Sequence, residues 1–216
     1  MKIPNKNYEV SPPFIFKWRG LIMAAAAAGV LAAAAPTLNS CAVGFAAVLS
    51  GELLRLWALG WTGEHTRSQE LKAPQLVTGG PYRFVRNPLY LGNIISALGV
   101  LAAAAGAMPA FSVFCMFACG AVVLYLVYAS CIISEEAFLA IRFGDIFFDY
   151  RAATPAILPR CSDLVRIFTG QESEAFRLGS ASCAEGDPSF RWQALRFETS
   201  TLIWLTLVCS FLLCRA

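Results

Sequence analysis

Residues 87–134 read NPLYLGNIISALGVLAAAAGAMPAFSVFCMFACGAVVLYLVYASCIIS, and this stretch decides the fold. Between Arg86 and Glu135 the only side chains that titrate are tyrosine and cysteine. As helix, that length measures roughly 70 Å, about two hydrocarbon thicknesses of a bilayer. It must therefore fold back on itself. The turn belongs at Gly106-Ala107-Met108-Pro109, because glycine and proline punctuate helices. The reading is a helical hairpin, with helices over about 89–105 and 109–134.

The rest of the chain agrees with that hairpin. Apolar residues make up 57% of the 216 and charged residues 14%, where a soluble domain carries about 25% charged. Too little polar surface remains to cover a globule in water. This excludes a soluble enzyme, a disordered tail and a fibrous protein, and predicts an all-α polytopic transmembrane bundle of about five helices. The net charge of +3 is too small to point to nucleic acid. Earlier spans fall at about 20–38, whose alanine-rich run over 20–35 is ended by Pro36, and at 41–61. Lys17 and Arg19 ahead of small residues also describe a cleavable signal peptide, but the leader before them is long, which favours a retained helix. A last membrane helix is expected over 196–216, after a Gly-, Ser- and acid-rich cytoplasmic linker over 161–195; residues 1–160 then form the core.

Topology follows from the loops. Lys2, Lys6, Lys17 and Arg19 precede the first helix; Arg67, Lys72, Arg83 and Arg86 lie between the second and third; seven arginines from Arg142 to Arg196 lie between the fourth and fifth. The opposite side receives residues 36–40 and 106–108, without charge, and Arg215. By the positive-inside rule the N-terminus and both long loops face the cytoplasm. Of the eight cysteines, six sit in apolar runs as small hydrophobes, and no CxxC pair occurs. With one histidine, His65, no metal site is expected.

Two clusters carry possible chemistry. The first ends in Gly79-Gly80-Pro81-Tyr82-Arg83-Phe84-Val85-Arg86-Asn87-Pro88-Leu89-Tyr90-Leu91-Gly92-Asn93. Gly79-Gly80-Pro81 forces a turn, and Pro88 suits the first turn of a helix whose N–H groups can receive an anion. The same tyrosines and arginines would also serve as a membrane-interface girdle. The second is Ser134-Glu135-Glu136 with Phe143-Gly144 and Asp149-Tyr150-Arg151. Two adjacent carboxylates at a membrane boundary repel, so one should turn into the bundle. Ser134 could equally cap a new interfacial helix over 135–151. Glu52 and Arg55 stand one turn apart inside the second helix, as a structural pair or as a brace for the loops.

These residues resemble a family. Gly80-Pro81-Tyr82-Arg83 through Arg86-Asn87-Pro88, Tyr90 and Gly92 is similar to the first signature block of the isoprenylcysteine carboxyl methyltransferase and phospholipid methyltransferase superfamily. Glu135-Glu136, Leu139, Phe143-Gly144, Tyr150 and Pro155 resemble its second block, and the likeness covers roughly residues 51–159. The resemblance implies a membrane methyltransferase that uses S-adenosylmethionine, with a cofactor pocket open to the cytoplasm and a lipophilic acceptor arriving from the bilayer, such as a prenylcysteine carboxylate or a phospholipid amine. By position, it implies that Gln75, Leu76, Val77, Tyr82, Asn87, Pro88, Leu89, Tyr90 and Glu135 bind the cofactor. Arg86, Glu136 and Tyr150 would orient acceptor or cofactor. Asn87 stands where the family keeps a histidine, and Cys131 where the carboxyl methyltransferases carry an arginine suited to a carboxylate acceptor. A non-catalytic scaffold of the same fold and a related nicotinamide-dependent membrane reductase are the rival readings.

Overall fold

The computed structural model describes residues 14–62, 73, 75–160, 192 and 199–216. His65 and nearly all of the expected linker lie outside them. The described residues form six α-helices, one 3-10 turn and no strand: α1 Phe14–Ala33, α2 Leu38–Thr62, α3 Pro88–Ala104, α4 Ala110–Phe143, α5 Asp145–Ala153 and α6 Thr199–Arg215, with the 3-10 turn at Gly80–Arg83. α1, α2 and α4 are long and apolar enough to cross a membrane, while α3 and α6 are shorter apolar helices of 17 residues.

The expected hairpin is present, its two helices each placed within about a turn or less of the expected N-terminal bounds. Two other boundaries moved. α1 starts at Phe14 rather than near residue 20, because Lys17 and Arg19 are good helix formers whose stems tolerate an apolar surface. It ends at Ala33, before Pro36, and α2 begins three residues earlier than expected. There the Thr37 N–H donates to Ser40 Oγ (2.9 Å) and the Ser40 N–H to Thr37 Oγ1 (3.3 Å), a reciprocal cap that the apolar pattern does not reveal.

The larger correction concerns residues 135–151. No new helix starts at Ser134. Its hydroxyl donates to the Ser130 carbonyl one turn back (2.7 Å), and α4 runs on unbroken to Phe143. The break comes at Gly144, whose φ of +55° only glycine adopts without strain. α4 is thus 34 residues and about 51 Å long, against about 30 Å of hydrocarbon. That is about four turns more than the hydrocarbon thickness, and its C-terminal turns bear Glu135, Glu136 and Arg142.

α2 and α3 pack most closely. A Cβ added at Gly44 would meet the Gly99 carbonyl oxygen at 2.5 Å and the Ala103 Cβ at 2.6 Å; one added at Gly99 would meet the Gly44 carbonyl oxygen at 2.6 Å. Small residues at helical spacing let the two backbones touch, which is how helices associate where lipid removes the hydrophobic drive. The Glu52 and Arg55 pair lies in this seam: Arg55 Nε is 3.4 Å from Glu52 Oε1, and the buried Ser96 hydroxyl of α3 donates to the same oxygen (3.1 Å). A second packing centre joins Phe16 of α1 to Leu124, Val127, Tyr128 and Cys131 of α4, with Tyr90 and Ile94 against it. At the end opposite the motif blocks, Leu212 of α6 is buried with Ala34, Cys41, Ala103 and Ala104.

Candidate functional site

The site grows from one turn and one long helix. Gly80 has φ +57°, and a Cβ at either Gly79 or Gly80 would collide with the Trp61 indole. The turn therefore folds over the end of α2, and Pro81 and Tyr82 are buried beneath it. The Tyr82 N–H donates to the Gly79 carbonyl (3.1 Å). Gln75, Leu76 and Val77 lead into this turn outside any helix, each half-buried.

Five residues after Arg83, the end of the turn, Pro88 starts α3, fully buried. Asn87 stands at the N-cap position, yet no side chain caps the first turn of α3. Asn87 instead holds the segment after α5: its backbone N–H and its Nδ2 both donate to the Ala156 carbonyl, at 3.1 and 3.2 Å. The Arg86 N–H donates to the Pro155 carbonyl (2.8 Å). The two motif blocks are thereby stitched together by backbone groups.

Side chains complete the junction. Arg86 donates from Nε (3.0 Å) and Nη2 (2.8 Å) to Glu136 Oε1, and from Nη1 to the carbonyls of Arg151 (3.0 Å) and Thr154. Four of the five guanidinium N–H groups are so engaged. Arg151 Nε lies 3.6 Å from Glu136 Oε2. The Tyr150 hydroxyl, buried, donates to the Tyr82 carbonyl (2.7 Å). Burial pushes the Tyr82 and Tyr150 phenols above the ordinary tyrosine range. The Glu135 charge adds to the effect at Tyr82 and the charge of Tyr82 at Tyr150; the Thr62 side chain and Arg86, respectively, oppose it.

On the inner side of this clamp, the Tyr90 hydroxyl donates to Glu135 Oε1 (2.5 Å), and the Tyr90 and Tyr128 rings lie 5.2 Å apart. The expectation that one of the two glutamates turns inward is thus exceeded. Both are engaged, Glu135 by α3 and Glu136 by the arginine before it.

The structure therefore brings Tyr82, Asn87, Pro88, Tyr90 and Glu135 to one end of α3. Leu89 is half-buried on the same first turn, and Gln75–Val77 enter from the chain just before it. Arg86, Glu136 and Tyr150 come together in the clamp, with their polar atoms on protein partners. Pro155 stood in the second block, but sequence reading gave no role to the backbone carbonyls of Thr154, Pro155 and Ala156, which no side-chain pattern advertises. It also missed Arg19 and Phe16, which reach Cys131 from α1. The charge of Arg19 was visible, but its neighbour on α4 was not.

An apolar helical bundle with two such blocks joined at one end defines a membrane protein with a built polar site. Residues 39–146, half of the chain, match the family model of phospholipid methyltransferases, and the chain belongs to that family. It is 33% identical over 139 residues to the nickel-cobalt-cadmium resistance protein NccN of Alcaligenes xylosoxydans xylosoxydans, covering 64% of this chain and 56% of that one. It is 39% identical over 87 residues to the cobalt-zinc-cadmium resistance protein CzcN of Cupriavidus metallidurans (40% and 37%). With the protein-S-isoprenylcysteine O-methyltransferase of Schizosaccharomyces pombe it shares 32% over 113 residues (50% and 45%). The chain thus spans about half the length of the curated relatives it matches. No solved structure matches it.

Proposed function

We propose that this chain is an integral membrane methyltransferase that moves a methyl group from S-adenosylmethionine to a lipophilic acceptor. The observation that carries the reading is the Tyr90–Glu135 hydrogen bond, which joins the two motif blocks beside the uncapped start of α3. The residues fit the cofactor by chemistry. Open backbone N–H groups at a helix N-terminus suit a carboxylate, a glutamate suits an amino group or ribose hydroxyls, and tyrosine faces suit adenine or a sulfonium cation. Bound S-adenosylmethionine would supply an electrophilic methyl group. Tyr82, Asn87, Pro88, Leu89, Tyr90 and Glu135 would hold it, with Gln75–Val77 along one wall. Arg86, Glu136 and Tyr150 then serve as positioning residues, keeping the loop after Tyr82 closed against α5 so that water stays out of the reacting face.

Asn87 in place of histidine is compatible with this role. Its amide makes the donation to Ala156 that one imidazole N–H could make, and neither needs to be charged for it. In the cell, the pocket and both long loops face the cytoplasm, with the acceptor entering between helices.

The test is titration of S-adenosylhomocysteine into the purified full chain in detergent. Saturable binding is expected, weakened about tenfold or more by Glu135→Ala and by Tyr90→Ala, since each removes a charge-assisted hydrogen bond. Absence of saturable binding, or binding indifferent to both changes, overturns the proposal. Oxidation of a reduced nicotinamide by the same preparation would favour the reductase reading instead.

A further inference from the structure

Two glycines stand together before Pro81, and for different reasons. Gly80 has φ +57°, where other side chains are strained. Gly79 has φ −84° and ψ 170°, ordinary extended backbone open to any residue. What bars a side chain at Gly79 is Trp61 of α2. An added Cβ there would meet Cζ3 of the indole at 2.3 Å and Cε3 at 2.7 Å, while one at Gly80 would meet Nε1 at 2.3 Å and Cδ1 at 2.5 Å. The two peptide units therefore lie across both rings of a single indole. Trp57, one turn earlier on α2, faces Phe84 with ring centroids 6.3 Å apart, so α2 sets a ring beneath each end of the 79–84 segment. Among the described residues, 75–78 make no hydrogen bond. Packing thus sets the path of this stretch into Pro81 and Tyr82, and Trp61 is the surface on which it turns.

We propose that Trp61 is a positioning residue for the cofactor: its flat face sets the height of the Gly79–Gly80 backbone, and with it where Gln75–Val77 and Tyr82 stand against S-adenosylmethionine. This deepens the methyltransferase reading and rests on it. An indole suits the task, because it is large and rigid and has only two side-chain torsions to order. Bare glycine backbone can approach such a plane over many atoms at once, and the summed dispersion contacts hold it there. From the other side the Tyr150 hydroxyl donates to the Tyr82 carbonyl (2.7 Å), so the turn is held between α2 and α5. A methyl group at Gly79 would have to lift it by about 1 Å to reach ordinary contact with the ring.

The test is S-adenosylhomocysteine binding to the full chain in detergent, with unfolding in SDS followed for each variant to confirm the fold. Gly79→Ala is expected to weaken binding about tenfold or more, because a misplacement of about 1 Å is costly to a built site. Trp61→Leu should weaken it similarly, whereas Trp61→Phe, which keeps a flat ring, should stay within about threefold of the wild type. The two positions should also be coupled. In a Trp61→Ala background the added methyl group has nothing to strike, so Gly79→Ala should change affinity by less than about threefold; independent sites would instead give additive losses. An equal loss from Gly79→Ala in both backgrounds overturns the proposal, and so does a folded Trp61→Leu that binds like the wild type. If Trp61→Ala does not fold, Trp61→Phe takes its place as the background, its smaller ring leaving room for one methyl group. No saturable binding by the wild type overturns the methyltransferase reading and this role with it. Saturable binding that is indifferent to these variants overturns the role of Trp61 alone.

Discussion

Arg86 and Glu136 should be strongly coupled, and the coupling can be measured. Their side chains are 10% and 12% exposed and 2.8 Å apart at closest. Arg86→Met strips Glu136 of its two nearest donors and leaves the Arg151 and Thr154 carbonyls unpaired. Removing one member of a buried pair costs about 3–5 kcal/mol, chiefly from the uncompensated charge left behind. Arg151 stays 3.6 Å from the other carboxylate oxygen but is 54% exposed, so it recovers little, and about 3 kcal/mol is expected. Glu136→Leu should cost about as much, because the guanidinium keeps only its carbonyl partners. Together the two changes leave no orphan charge. The double variant should therefore lose about 3–4 kcal/mol instead of the sum, a coupling of about 2–3 kcal/mol. Equilibrium unfolding in mixed micelles with increasing SDS, followed by tryptophan fluorescence, gives the four free energies. A coupling below about 0.5 kcal/mol, the level of independent sites, would refute the clamp.

Gly44→Leu places a side chain where the Gly99 carbonyl already lies 2.5 Å from an added Cβ, so α2 and α3 must separate; a loss of about 3 kcal/mol or more is expected by the same unfolding assay, at or beyond the usual range for overpacking. Tyr82 and Tyr150 both hold their protons above the ordinary tyrosine range when folded. Below about pH 10 both states are protonated and stability is indifferent to these groups. Above it the unfolded chain loses protons that the folded chain keeps, so stability falls by about 1.4 kcal/mol per pH unit for each tyrosine. Tyr150→Phe should make that slope shallower by about 1.4 kcal/mol per pH unit, one tyrosine's share, and cost about 1 kcal/mol at neutral pH for the hydrogen bond to Tyr82. An unchanged alkaline slope in Tyr150→Phe would contradict the assignment.

Much of the fold was legible because membrane burial imposes long uncharged runs. The 87–134 hairpin needed only the absence of charge and the Gly106–Pro109 punctuation. The helix boundaries that slipped were decided by groups the hydropathy pattern does not report. Ser134 looks like a cap, yet its hydroxyl is satisfied within the helix by Ser130, so the break waits for Gly144. Thr37 and Ser40 start α2 by bonding each other, not by being apolar. In the site, Tyr90, Glu135, Arg86 and Glu136 could be picked from residue type and motif. Which acid meets which partner could not, since both glutamates read alike in sequence.

What the sequence determined by itself was the helical membrane architecture, the two polar blocks and their family, because these rest on composition and on local order along the chain. Tertiary structure decided the pairing across it. Glu135 goes to Tyr90 and Glu136 to Arg86 because α4 continues as one rigid helix past Ser134, which aims successive residues about 100° apart toward different neighbours. It also decided that a cation from α1 lies beside Cys131. That juxtaposition spans more than a hundred residues of sequence and exists only because α1 packs against α4.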